Sequence, residues 1–106
     1  MKQIETKTVH LGENAFWLRL TNTAMNEYEE LTGESWPSFK STKLRLQLFY
    51  CLAKEGARIE GKTFKYDYKG FCDVINDYYF EILQDVMPVI FDMMPVIKND
   101  GKGKKA

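Results

Sequence analysis

Histidine is almost missing from this chain: His10 is the only one. Cysteine is scarce, with Cys51 and Cys72 in apolar settings and in no C-x-x-C pattern. A Cys–His nucleophilic pair would need spacing or a loop to join these residues, and neither is present. A three-ligand metal site would need carboxylate companions for His10, and no such cluster surrounds it. Neither catalysis nor a cofactor is expected, and the two thiols read as reduced and buried. Charge of one sign is also lacking, because 15 basic residues balance 15 acidic ones. Nucleic-acid binders carry a basic excess, since phosphate contacts dominate their affinity, so nucleic acid is not the expected partner. Long hydrophobic runs are absent too. The most apolar stretch, residues 86–97, is too short to span a bilayer and is interrupted by Pro88, Asp92 and Pro95. Residues 1–7 contain no hydrophobic signal region. The expectation is a protein of the cytoplasm with no membrane partner.

What is present suffices for one core. The 106 residues are 44% hydrophobic and 14% aromatic, which fits a single domain. Residues 5–11 read as a strand favoured by Thr6 and Thr8, and Gly12-Glu13-Asn14 as a turn. Residues 15–20 alternate, with Phe16, Leu18 and Leu20 on one side and Trp17 and Arg19 on the other, so a β-hairpin is expected. Asn22 or Thr23 caps a first helix over residues 24–31, closed by Gly33 and burying Ala24, Tyr28 and Leu31. Ser41 or Thr42 caps a second over residues 43–54, ending at Gly56, with Leu44, Leu48, Cys51 and Leu52 as its stripe. Leu44, Leu46 and Leu48 also alternate as a strand would, but length and the Ser/Thr and Gly punctuation select helix. Residues 57–66 read as a loop with a short strand at 63–66. Asp67 caps a third helix carrying Phe71, Val74, Ile75 and Tyr78. A fourth starts near Tyr79 with Ile82, Leu83, Val86, Ile90 and Phe91, and Pro88 should kink or restart it. The predicted class is α+β, mainly helical: an N-terminal hairpin followed by about four helices. Residues 1–98 form the single domain and residues 99–106 a flexible Gly/Lys tail.

Asp73, Asp77, Glu81 and Asp85 recur every four residues and read as a solvated helical side. Gly101-Lys102-Gly103-Lys104 has no strand before it and no helix after it, so it is not a phosphate loop. Lys98, Lys102, Lys104 and Lys105 read as a solubilising tail. The over-supplied feature is adaptable apolar surface near the C-terminus. Methionine is flexible and over-used where varied partners are accepted. Met87, Ile90, Phe91, Met93, Met94 and Ile97 are therefore the candidate partner-binding residues, against the plainer alternative of a central core helix. If they carry binding, aspartate at Met93 and Met94 should leave the fold intact and abolish partner solubilisation.

The order of parts is itself informative. A hairpin leads into Leu18-Arg19-Leu20-Thr21-Asn22-Thr23-Ala24-Met25 and Tyr28-Glu29-Glu30-Leu31-Thr32-Gly33, followed by a leucine-rich helix and an acidic-aromatic one. Over residues 5–90 the chain resembles the tail assembly chaperones of long-tailed bacteriophages. The resemblance implies a phage or prophage protein of the bacterial host cytoplasm. It would bind the tape-measure protein, a long apolar helical chain, and keep it soluble while tail-tube subunits polymerise around it. No catalytic residues are implied. The family often makes a longer frameshifted product, and Lys104-Lys105 would mark such a site if encoded by a run of adenines. Two other classes compete: a virion structural protein, such as a tail-completion or head–tail connector subunit, and a small nucleic-acid-binding regulator. The zero net charge also leaves room for self-association.

Overall fold

The computed structural model describes residues 5–94. In it the first alternation becomes a hairpin: β1 (Lys7–Leu11) and β2 (Asn14–Leu18) pair antiparallel with Val9 opposite Phe16. Gly12 takes φ 62° in the turn, a left-handed conformation that glycine adopts without steric cost. Val9, Leu11, Phe16 and Leu18 form the buried face. The second strand stops at Leu18, short of Leu20, because the Arg19 N–H turns away and donates to the Leu52 carbonyl at 3.1 Å.

The caps explain where the helices begin. Thr21, rather than Asn22 or Thr23, starts α1 (Asn22–Thr32): its hydroxyl oxygen accepts the Ala24 N–H at 3.1 Å. Gly33, at φ 74°, closes the helix. Ala24 and Tyr28 are buried, whereas Leu31 is exposed. The Tyr28 hydroxyl donates to the Ser38 carbonyl and accepts the Ser38 N–H, which fastens the following loop to α1.

Ser41 caps α2 (Thr42–Ile59) through the Leu44 N–H. This is the central helix, unbroken in burial from Gln47 to Ala53 and again from Glu55 to Ala57, and it packs against β2, α1 and α3. It does not end at Gly56. The stop lies at Gly61 (φ 71°), where Lys62 N–H donates to Ala57 O at 2.8 Å and Gly61 N–H to Arg58 O at 3.3 Å, the paired hydrogen bonds of a Schellman termination. Gly56 has another role: a side chain there would meet the backbone of β2.

Residues 63–66 form no strand, and Phe64 and Tyr66 pack onto the core from irregular backbone. Asp67 caps α3 (Tyr68–Ile75) through the Gly70 N–H at 2.8 Å. After a turn at Asn76 and Asp77, the C-terminal helical segment runs through α4 (Tyr79–Glu81), a π-helical stretch (Ile82–Val86) and α5 (Met87–Asp92). The Met87 N–H reaches back five residues to the Ile82 carbonyl. This wide turn lies immediately before Pro88, which has no N–H and whose ring crowds the preceding helical turn, so the helix continues past the proline without breaking. The architecture is α+β and mainly helical. Residues 95–106, including the Gly/Lys tail, lie outside the described residues.

A buried carboxylate joins the hairpin exit to the central helix. Glu55, 3% exposed, accepts two hydrogen bonds from Arg58 (2.9 and 2.8 Å) and one from the Thr21 hydroxyl. The Arg58 bonds hold its carboxyl below the usual glutamate range, against the upward push of burial, with Thr21 and the Arg19 charge adding to the lowering. A depressed folded-state pKa means the stabilisation is present above the unfolded value of roughly 4.3 and is lost as pH falls through the folded value. Urea titrations should show this loss in wild type. Glu55→Gln should cost about 1–3 kcal/mol at neutral pH and flatten the pH dependence in that window.

Candidate partner-binding face

The six residues singled out near the C-terminus separate on folding. Ile90 is fully buried, Met87 is 4% exposed, and Met93 and Met94 are 6% and 7% exposed, all within the main core. An aspartate at Met93 or Met94 would therefore be a buried charge, and such variants would perturb the fold itself. Phe91 is exposed on one side and packs its ring at 5.0 Å from that of Phe39. Ile97 lies outside the described residues.

Besides Phe91, three exposed apolar side chains of this segment lie earlier, at Tyr79, Phe80 and Leu83. Ile82, Val86 and Ile90 turn inward; Tyr79 and Leu83 flank that buried stripe and are half-exposed, and Phe80, two residues before Ile82, turns outward. Phe80 is 75% exposed, the most of any large hydrophobic side chain among the described residues. Its ring stacks edge-on against Tyr79, with centroids 5.7 Å apart. By helical rotation Tyr79 and Leu83, four residues apart, form one strip, and Phe80 with Gln84 the next. Glu81 and Asp85 follow on the third strip, both exposed. The apolar spacing in the sequence predicts an inward Leu83 and does not single out Phe80. The missed signal was the phase of Ile82, Val86 and Ile90, which leaves no inward position for Phe80.

Charge divides along the chain. Residues 70–94 contain Asp73, Asp77, Glu81, Asp85 and Asp92 and no Lys, Arg or His. All five carboxylates are exposed. Among the described residues the ion pairs are Lys7–Glu5, Lys40–Glu34, Lys54–Glu27 and Arg58–Glu55, and none includes these five.

Groups with reactive chemistry lie elsewhere and apart. His10 is exposed on β1 opposite Ala15. Burial pushes the Cys51 thiol up to about 12, with the Glu27 charge adding to the rise, so it stays protonated. Cys72 is half-buried and free. No group of three or more His, Cys, Asp or Glu among the described residues is arranged to hold a metal ion. A cleft of about 260 Å³ lies between α1 and the C-terminal part of α2. Its Lys54 and Arg58 are already paired with Glu27 and Glu55. No helix of the described residues is long and apolar enough to cross a membrane. Neither a protein-family model, nor a curated protein, nor a solved structure matches the chain.

Proposed function

We infer that this chain works by binding another protein. Within that class, the reading we favour is a tail assembly chaperone of a long-tailed phage or prophage. In the host cytoplasm it would hold the tape-measure protein soluble until tail-tube subunits enclose it. The observation that carries this reading is the exposed row of Tyr79, Phe80 and Leu83 on a helical segment whose Ile82, Val86 and Ile90 are buried in the core. Burying Phe80 alone against a partner would contribute about 1.5–3 kcal/mol, and its one ring contact among the described residues is with its chain neighbour Tyr79. A helix with its backbone hydrogen bonds satisfied internally recognises a partner through side chains, which suits a helical client.

Co-expression with a phage tape-measure protein as the client tests the reading. The client should become soluble with the wild-type chain. Phe80→Ser with Leu83→Ser should return most of it to the pellet while leaving the chaperone's own melting temperature within a few degrees of wild type. A client that stays insoluble with wild type overturns the reading. So does recovery of the chain in stoichiometric amount from purified virions, which would place it among the structural proteins.

A further inference from the structure

The exposed aromatic row lies beside a surface of one sign, and this fixes the chemistry of what covers it. We propose that the C-terminal helical segment docks a basic amphipathic helix of the client protein, with apolar side chains on Tyr79, Phe80 and Leu83 and lysines or arginines against Asp77, Glu81 and Asp85. The proposal rests on the protein-binding reading above and specifies the segment of the partner that this face takes.

Three observations converge. First, Tyr79 and Leu83 are four residues apart and Phe80 stands on the adjacent strip, so the row is a ridge of the kind that fits the groove of a second helix. The segment from Tyr79 to Asp92 is about 20 Å long at 1.5 Å per residue, enough for roughly four turns of a partner. Second, Glu81 and Asp85 border the ridge directly, and Asp77 precedes it in the turn that opens the segment. A helix entering here with acidic flanks would meet like charges at close range, whereas basic flanks are attracted. Third, no cation among the described residues pairs with these carboxylates, so a partner's cations would not have to displace one.

Strand addition at this face is excluded by its helical backbone, which offers no free edge, and nucleic acid by its charge. A second copy of this chain would bring its own acidic face against this one in a two-fold dimer, and like-charge juxtaposition opposes that contact.

Two synthetic peptides of 21 residues, identical in a leucine stripe and flanked by lysine in one and by glutamate in the other, provide the test. Binding to the full chain is read by fluorescence anisotropy at low and high salt. The lysine peptide should bind about tenfold tighter or more, and salt should erode most of that advantage. Asp77→Asn, Glu81→Gln and Asp85→Asn together should abolish the preference, and Phe80→Ser should weaken the lysine peptide about tenfold. Equal binding of the two peptides, or binding indifferent to Phe80→Ser, overturns the proposal. A concentration-dependent dimer in sedimentation that Phe80→Ser abolishes also overturns it, since the face would then belong to a second copy. Peptide discrimination as expected, with a client that stays insoluble, supports this face and sinks the chaperone reading. A client that dissolves while the peptides are not distinguished does the reverse.

Discussion

Gly56→Ala should destabilise the protein by about 3 kcal/mol or more, although alanine in place of a helix-interior glycine ordinarily stabilises by about 1 kcal/mol. Gly56 lies within α2, three residues from its end, with helical rather than left-handed backbone. A methyl group there would lie 2.0 Å from the Trp17 carbonyl oxygen, 2.3 Å from its carbon and 2.8 Å from the Leu18 nitrogen. All three are backbone atoms of β2, so no side-chain rotation relieves the clash. The strand must lift away from the helix, and Phe16 and Leu18 must rise with it out of the core they fill. The Arg19 N–H to Leu52 carbonyl bond, which holds the hairpin exit on α2, would stretch in the same movement. Total stabilities of single domains are about 5–15 kcal/mol, so this one methyl would remove a large fraction. Urea denaturation followed by circular dichroism measures it: the midpoint should fall at unchanged slope. A rise in midpoint would mean that the hairpin does not lie on α2 at this distance.

The same glycine shows where sequence reasoning stops. Punctuation by Ser, Thr, Asp and Gly located the helices, since capping is local: Ser41 and Asp67 each accept the N–H three residues on. The hairpin was legible because its alternation and its turn agree. Gly56 misled because a glycine that ends a helix and one that admits a crossing strand look alike in one dimension, and only the packing of β2 separates them. Thr21, Asn22 and Thr23 are all good caps, so the sequence does not single out Thr21. Its second contact, to Glu55, is 34 residues away in sequence.

The candidate face was legible only in outline. That the C-terminal segment combines apolar and acidic residues is plain in the sequence. Which apolar residues turn outward depends on helical phase, and the π-helical stretch at residues 82–86 shifts that phase midway. A uniform 3.6-residue period therefore misplaces residues on one side of it or the other. The methionines stand out in the sequence by composition alone. Met87, Met93 and Met94 fill core space instead, as flexible side chains do in irregular gaps.

Phe71 and Phe80, nine residues apart in the same acidic-aromatic stretch, should give opposite results when truncated. Phe71 is fully buried, and its ring centroid lies 4.9 Å from that of Phe49, 5.4 Å from Phe16 and 5.5 Å from Tyr50, with Phe64 and Tyr66 completing the cluster. These rings come from the hairpin, α2, the irregular segment and α3, so Phe71 is where the parts of the chain meet. Phe71→Ala removes a ring that its rigid neighbours cannot collapse to replace, and should cost about 3–5 kcal/mol. The edge-to-face contacts add to that loss, at about 0.5–1.5 kcal/mol per pair beyond burial. Phe80→Ser removes a ring of which three-quarters already lies in water, and should shift stability by less than about 0.5 kcal/mol. Chemical denaturation of both variants, set beside peptide binding by the second, separates the two uses of phenylalanine in one stretch of chain. A comparable loss of stability at both sites would mean that Phe80 belongs to the core, and the exposed row on which partner docking depends would not exist.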